Sequence, residues 1–172
     1  MIPGRTALRA DGLLRAGTAC YRASIGRSGI GATRREGDGT TPAGLLPMRT
    51  VPFRPDRVAP PQAAVPVGPL APHDGWCDDP ASPNYNRRVR LPCAARHEGL
   101  WRDDALYDVD ALYDVIGVLG WNDAPPVPGL GSAIFLHVAR PDFGPTEGCI
   151  ALALPDLLAF LAAGSREILV SP

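Results

Sequence analysis

Short apolar runs, interrupted by glycine and proline, predict that this chain is built mainly from β-strands. Residues 13–16 and 19–25 alternate apolar with polar side chains, and Gly17 between them is typical of a hairpin turn. Further strands are predicted around residues 45–51 and at 115–121, 133–138 and 166–170. Residues 52–83 are rich in proline, which disfavours long regular elements, and we expect an ordered surface loop that rims a functional cleft.

One segment, residues 154–164, has the period of a helix. Pro155 suits the first helical turn, Gly164 suits the end, and the apolar face comprises Leu157, Leu158, Phe160 and Leu161. The sequence Ala-Leu-Tyr-Asp-Val at residues 105–109 recurs at 111–115, and this single local duplication is too short to indicate a repeat architecture. Only one copy can lead into the next strand, so we expect the other to form a bulge or loop. The fold class predicted is mainly β, a β-rich α+β domain with one definite helix.

Composition indicates one globular domain over residues 1–172. A chain of 172 residues with 45% hydrophobic content is large enough to bury a proper core. Its formal net charge of −1 provides no field for nucleic acid or for an anionic membrane surface. The chain contains no lysine, which excludes Schiff-base and Ser–Lys mechanisms, and its basic residues are all arginine.

The sequence gives no sign of a membrane segment or an export signal. Residues 1–17 contain arginines and Asp11 but no apolar h-region, so we do not expect a signal peptide. No later run reaches the ~18 apolar residues of a membrane span.

A histidine and a cysteine in the C-terminal half are the candidate chemical groups. His137 ends the apolar strand at 133–138, and Cys149 follows a loop that contains proline and glycine. We expect this loop to place the two residues on neighbouring strands, where the imidazole can activate the thiol. Gly148 has no side chain, so a substrate carbonyl can approach the sulfur and backbone N–H groups can point towards it.

Other cysteines and histidines allow structural alternatives. His73, Cys77, Cys93 and His97 have a spacing compatible with zinc, although we expect no metal in the site. A Cys77–Cys93 disulfide is possible only in an oxidising compartment. Cys20 lies in an alternating strand and is expected to be a core residue.

These residues resemble the active site of the L,D-transpeptidase (YkuD-type) family, whose pattern is His…[Ser/Thr]-x-Gly-Cys-[Ile/Val]. Residues 35–44 resemble its Thr-Pro-x-Gly turn, and the segments around Trp76, Tyr85, His97 and Trp101 are similar to those of its short, single-domain branch. The resemblance covers about residues 19–170. Glu147 stands where many members have His, and Ala151 stands where many have Arg or Asn, so the sequence leaves the choice of substrate open.

The resemblance implies an L,D-transpeptidase-like β-sandwich and a mechanism. Cys149 attacks a peptide carbonyl while His137 takes its proton and later protonates the leaving amine. The N–H groups of Gly148 and Cys149 are candidate oxyanion donors, and Thr146 is expected to orient the imidazole.

The implied donor is a peptidoglycan stem peptide cleaved after a diaminopimelate-type residue, with no cofactor required. Candidate substrate-binding residues are Arg140, Arg87, His97 and Trp101. A carbapenem is expected to acylate the cysteine.

Two other functions stay open. One is a cytosolic L,D-carboxypeptidase that trims recycled muropeptides with water as acceptor. The other is a non-catalytic module that binds peptidoglycan or is stabilised by zinc. Cross-linking requires a location outside the inner membrane, whereas the lack of a signal peptide favours the cytoplasm, so the sequence leaves the compartment undecided.

Overall fold

A computed structural model describes residues 6–32, 35–102 and 110–172 of the chain. Its strands are β1 (Ala7–Arg9), β2 (Leu13–Ala16), β3 (Ala19–Ser24), β4 (Ile30–Gly31), β5 (Thr41–Pro42), β6 (Gly44–Phe53), β7 (Val67–Pro69), β8 (Asp74–Cys77), β9 (Arg87–Arg90), β10 (His97–Gly99), β11 (Gly117–Leu119), β12 (Phe135–Val138), β13 (Ile150–Leu152) and β14 (Glu167–Ser171). A 3-10 helix spans Asp110–Tyr113, and the α-helix α1 spans Leu154–Ala162. The predicted mainly β class with one α-helix is confirmed.

The main sheet runs in the order β11-β12-β13-β3-β2-β1-β14-β6-β7. Strand β11 also pairs with β6, so the strands form a closed circuit instead of two separate sheets. Smaller sheets consist of β10-β8-β9 and β4-β5.

The hairpin of β2 and β3 follows the predicted alternation. The two strands pair antiparallel from Leu13 opposite Arg22 to Ala16 opposite Ala19. Gly17 in the turn has φ +60°, a left-handed conformation that glycine adopts without strain. The local pattern was therefore sufficient to predict this element.

Strand boundaries differ from the prediction where long-range pairing controls them. Strand β6 extends beyond 45–51 because it pairs with β14, β11 and β7 along its length. Strand β1 was not predicted at all. It pairs in parallel with β14, with Ala7 opposite Leu169, and such a short strand has little periodic signal of its own.

Helix α1 ends close to the predicted residue and packs on the larger core. Its residues Leu157, Phe160 and Leu161 are buried, and the Phe160 ring meets Tyr21 edge-on with centroids 6.0 Å apart. Gly164, just beyond the helix, has φ +80° and its N–H donates to the Leu161 carbonyl.

A second apolar cluster underlies the small sheet and connects it to the main one. Its buried members are Leu70, Leu100, Ile116, Val118 and Phe135. After the end of β6, the proline-rich residues 52–83 contribute the short strands β7 and β8, as expected from their composition. The first copy of the duplicated sequence, residues 105–109, lies outside the described residues. No helix in the described ranges is sufficiently long and apolar to cross a bilayer.

Candidate active site

A cavity of about 280 Å³ opens beside the C-terminal part of the main sheet. It is lined by Glu98, Arg102, Leu112, Tyr113, His137, Arg140, Gly144, Pro145, Thr146, Glu147, Cys149 and Ala151. His137 and Cys149 therefore share one cavity. None of these lining residues comes from residues 52–83, so the prediction that the proline-rich segment rims the cleft was wrong for the described part of the chain.

Parallel pairing of β12 with β13 brings the thiol to the histidine strand. Leu136 lies opposite Ile150 and His137 opposite Ala151. Cys149 immediately precedes β13, so its sulfur lies beside the beginning of β12. There the Phe135 N–H donates to the sulfur at 3.4 Å, and the thiol donates to the Ala133 carbonyl at 3.3 Å. The first contact favours a thiolate and the second favours a neutral thiol.

A tight turn holds the cysteine backbone. The Thr146 hydroxyl donates to the Cys149 carbonyl at 2.6 Å and accepts the Gly148 N–H at 3.2 Å. Gly148 has φ +132°, which a residue with a side chain adopts only with strain. The Gly148 N–H, a candidate oxyanion donor, is thus directed to Thr146 in this structure.

Thr146 does not hold the imidazole, contrary to expectation. Its hydroxyl is used within the turn, and its carbonyl accepts the Arg27 N–H at 2.8 Å. The Nδ1–H of His137 instead donates to the carbonyl of Val138, at 2.9 Å. The orienting group is therefore a backbone atom of the histidine's own strand.

The environment of His137 favours an uncharged ring. The side chain is 6% exposed, and the Tyr113 ring meets it edge-on with centroids 5.6 Å apart. Burial, together with the positive charges of Arg140 and Arg102, lowers the pKa of His137 to about 4, against the Val138 hydrogen bond, which raises it. At neutral pH the imidazole therefore carries its proton on Nδ1, and Nε2 is free to accept one.

Glu98, Arg102 and Tyr113 form one wall of the cavity. Arg102 Nη2 lies 3.6 Å from the Glu98 carboxylate, and its guanidinium lies 5.4 Å from the centre of the Tyr113 ring. Burial raises the pKa of Tyr113 well above its usual value, and the nearby Cys149 and Glu98 reinforce this shift. The phenol therefore remains protonated and neutral.

Arg54 is buried and contacts the backbone of Arg102 in this wall. It is 2% exposed, and its Nη1 donates to the Arg102 carbonyl at 2.7 Å. Its guanidinium stacks 3.8 Å from the centre of the Trp101 ring and pairs with Asp56 through Nε and Nη2. Trp101, expected to contact substrate, is instead a packing partner of this buried arginine and does not line the cavity.

The turn at Thr41 and Pro42, which was identified by its resemblance to the Thr-Pro-x-Gly turn, also contacts the backbone of Cys149. Thr41 is fully buried, and its hydroxyl accepts the Gly26 N–H at 2.8 Å and lies 3.5 Å from the Cys149 carbonyl. Next to it, Arg27 forms an ion pair with Glu147 at 2.9 Å. These contacts join the N-terminal half of the chain to the cysteine turn.

The other predicted binding residues are dispersed. Arg140 lines the cavity, and its Nη1 lies 3.5 Å from the Pro145 carbonyl. Arg87 lines a separate cavity of about 410 Å³. His97 is exposed on β10, outside the described lining of the first cavity, and its Nδ1 donates to the Ala95 carbonyl at 2.8 Å.

The arrangement at the zinc-like motif is a cysteine–histidine pair. Cys93 Sγ lies 3.5 Å from His97 Nδ1, and Cys77 is buried opposite His97 in the β8–β10 ladder. The described residues contain no group of three or more His, Cys, Asp or Glu side chains placed to hold a metal. The four cysteines, all among the described residues, form no disulfide with one another, and Cys20 is exposed, so the expectation that it is a core residue was wrong.

Several site groups had no predicted role. Glu98 and Arg102 have the spacing of a helical i,i+4 pair, which could have indicated that they interact. The carbonyls of Ala133 and Val138 carry no residue-specific signal, because every residue has one. Asn86 lies outside the cavity, but it bonds to Ala133.

Chemically, the cavity combines a thiol, a neutral imidazole and a nearby arginine. A thiol becomes a strong nucleophile when a base removes its proton, and a neutral imidazole is such a base near neutral pH. The arrangement is therefore suited to acyl transfer through a thioester.

A family model described as the L,D-transpeptidase catalytic domain matches residues 5–165. No curated protein and no solved structure matches the chain.

Proposed function

The chain belongs to the YkuD family of L,D-transpeptidase catalytic domains, and we propose that it transfers acyl groups of peptidoglycan stem peptides through a thioester on Cys149. The observation that carries the proposal is that Cys149 and a buried, neutral His137 line the same cavity.

Activation begins with the transfer of the thiol proton. The Cys149 S–H turns from the Ala133 carbonyl towards Nε2 of His137, while Nδ1 stays bonded to Val138. The Phe135 N–H remains on the sulfur and stabilises its negative charge. The protein thus exchanges a contact that favours the thiol for one that favours the thiolate.

The thiolate then attacks the peptide carbonyl of the donor. A carbon–sulfur bond forms, the carbon–nitrogen bond breaks, and the imidazolium donates its proton to the leaving amine. In the second half, an acceptor amine attacks the thioester, His137 removes its proton, and the sulfur leaves as the thiolate. Water in place of the amine gives hydrolysis by the same steps.

Arg140 is the group that we assign to a substrate carboxylate. It is exposed at the cavity, and within the described part of the chain it forms no ion pair with Asp or Glu. Glu98 and Glu147, by contrast, are paired with Arg102 and Arg27. An arginine with an available fork is suited to bidentate binding of a carboxylate.

Covalent labelling tests the nucleophile. Incubation with a carbapenem or a disaccharide tetrapeptide, followed by intact-protein mass spectrometry, should show one adduct on the wild-type protein and none on Cys149→Ala. The variants Cys20→Ala and Cys93→Ala serve as controls and should label normally. An adduct that persists in Cys149→Ala would contradict the assignment.

Acylation rates test the base. His137→Gln should slow acylation about 10²–10⁴-fold, because general base catalysis typically contributes that much. The pH dependence of Cys149 alkylation should also lose its low-pH limb. An unchanged alkylation profile would show that another group generates the thiolate.

Competition between acceptors distinguishes transfer from hydrolysis. With a fixed donor concentration, a transferase should divert the acyl-enzyme into exchanged or cross-linked product in a saturable manner as a D-amino acid or acceptor peptide is added. If hydrolysis is unaffected at high acceptor concentration, the L,D-carboxypeptidase is the correct function.

A further inference from the structure

We propose that Asn86 is a positioning residue, which orients the Cys149 sulfur by holding the backbone of Ala133. This inference rests on the proposed role of Cys149 as the nucleophile. It assigns a task to a side chain that does not line the cavity of the cysteine.

Every hydrogen-bonding position of the Asn86 amide is occupied. Its Nδ2 donates to the carbonyls of Trp121 and Asn122, each at 2.8 Å. Its Oδ1 accepts the indole N–H of Trp76 at 3.0 Å and the backbone N–H of Ala133 at 3.1 Å. The side chain is 4% exposed, and a rotated amide would face two N–H groups and two carbonyls with the wrong atoms. The amide is therefore held in one orientation.

Ala133 connects this amide directly to the sulfur. Its N–H bonds to Asn86, and its carbonyl accepts the Cys149 thiol proton at 3.3 Å. Ala133 has φ +52°, a left-handed conformation that is uncommon for alanine and persists only where the surroundings impose it. Relaxation to an ordinary conformation would turn the carbonyl away from the sulfur.

The segment that follows provides the second contact with the sulfur. Phe135 donates its N–H to the sulfur at 3.4 Å, so the backbone of residues 133–135 contacts the sulfur twice. On the other side of Ala133, the Ser132 hydroxyl donates to Glu36 at 2.8 Å. Of these anchors, the Asn86 amide is the one bonded to Ala133 itself.

The position of Asn86 explains why it should affect the chemical step. It lines the second cavity together with Trp76, whereas the described lining of the Cys149 cavity does not include it. Asn86 itself has φ +56° and its N–H donates to the Cys77 carbonyl at 2.8 Å, so the small sheet holds it in place. Its loss should therefore lower kcat and leave KM nearly unchanged.

The test first removes the Asn86 amide and then replaces Ala133 by glycine, which adopts a left-handed conformation without a partner. Asn86→Gly is the suitable truncation, because glycine accepts the positive φ at this position. We expect it to lower kcat for acylation by about 10–100-fold, by analogy with the orienting partners of metal ligands, whose loss typically costs that much activity. The pH profile of Cys149 alkylation by iodoacetamide, measured in a Cys20→Ala/Cys93→Ala background, should shift as well.

A second substitution provides the rescue. Glycine adopts left-handed conformations without assistance, so Asn86→Gly/Ala133→Gly should recover about tenfold of the lost rate. Leu14→Ala, a core truncation in β2, is the control for destabilisation and should leave the alkylation profile unchanged while the protein is folded.

Three results would overturn the proposal. The first is a folded Asn86→Gly whose acylation rate and alkylation profile equal those of the wild-type protein. The second is a double variant that acylates no faster than Asn86→Gly. The third is a shift of the alkylation profile in Leu14→Ala equal to that in Asn86→Gly. If Asn86→Gly does not fold, hydrogen exchange of the wild-type Ala133 N–H decides: slow exchange supports the proposal, and exchange as fast as that of exposed loop amides refutes it. Failure of the proposed function would be recognised separately, because wild-type acylation would then be absent while iodoacetamide still reports the sulfur.

Discussion

Acid should destabilise this protein through one buried histidine. The experiment lowers the pH from about 7 to about 4 for the wild-type protein and for His137→Gln. His137 is almost completely buried, and burial lowers its pKa from 6.5 to about 4. Above pH 6.5 the histidine is neutral in both the folded and the unfolded chain, so its contribution to pH-dependent stability is absent there.

The magnitude follows from the difference between the two pKa values. Between pH 6.5 and about 4 the unfolded chain binds a proton that the folded protein does not bind, so stability falls as the pH falls. A shift of one pKa unit corresponds to 1.36 kcal/mol, so the decrease of about 2.5 units corresponds to roughly 3 kcal/mol. The full loss is reached when the pH passes below the folded pKa.

Urea unfolding at a series of pH values measures this loss. The two proteins share every other ionisable group, so the difference between their curves isolates His137. The wild-type protein should lose roughly 3 kcal/mol more than His137→Gln over this range. Parallel curves would contradict the prediction, since they would show that the imidazole takes up its proton in the folded state as easily as in the unfolded one.

Three further predictions concern recognition and stability. Arg140→Ala should raise KM about tenfold for a donor with a free carboxylate and leave kcat nearly unchanged, because a hydrogen bond to a charged group is worth about 1.5–3 kcal/mol before solvent exposure reduces it; an equal effect with an amidated donor would contradict this role. Phe160→Ala should lower the unfolding free energy by about 3–5 kcal/mol in urea titrations without changing Cys149 alkylation in the folded protein. Glu147→Gln should change the unfolding free energy by less than about 1 kcal/mol, because the ion pair of Glu147 with Arg27 is exposed; a larger change would show that this ion pair supports the cysteine turn.

The candidate site shows which of its features could be recognised from the sequence. His137, Cys149 and Gly148 could be selected from the sequence, because a base, a nucleophile and a residue without a side chain are recognisable as residue types. The structure brings His137 and Cys149 into one cavity. The orienting contacts come from the carbonyls of Val138 and Ala133, and a backbone atom has no signature in a sequence. For the same reason Thr146 was assigned the wrong partner.

Binding residues were harder to place than reactive ones. Arg140 lies at the cavity, whereas Arg87 lines another cavity and His97 lies on the exposed side of β10. Trp101 packs under Arg54, a residue that had no predicted role. A charged or aromatic residue in a loop can face either way, and only the packing of the small sheet on the main sheet decides which cavity it reaches.

Local secondary structure follows from patterns in the sequence. The β2–β3 hairpin and helix α1 follow from a period of two, a period of 3.6 and the glycines that end them, which are interactions between near neighbours in the chain. Only the tertiary structure decided that β1 pairs with β14, that β11 closes the sheet on β6, and that Asn86 bonds to Ala133. These contacts join residues far apart in the chain, so their formation depends on the free energy of the whole assembled core and not on any local pattern.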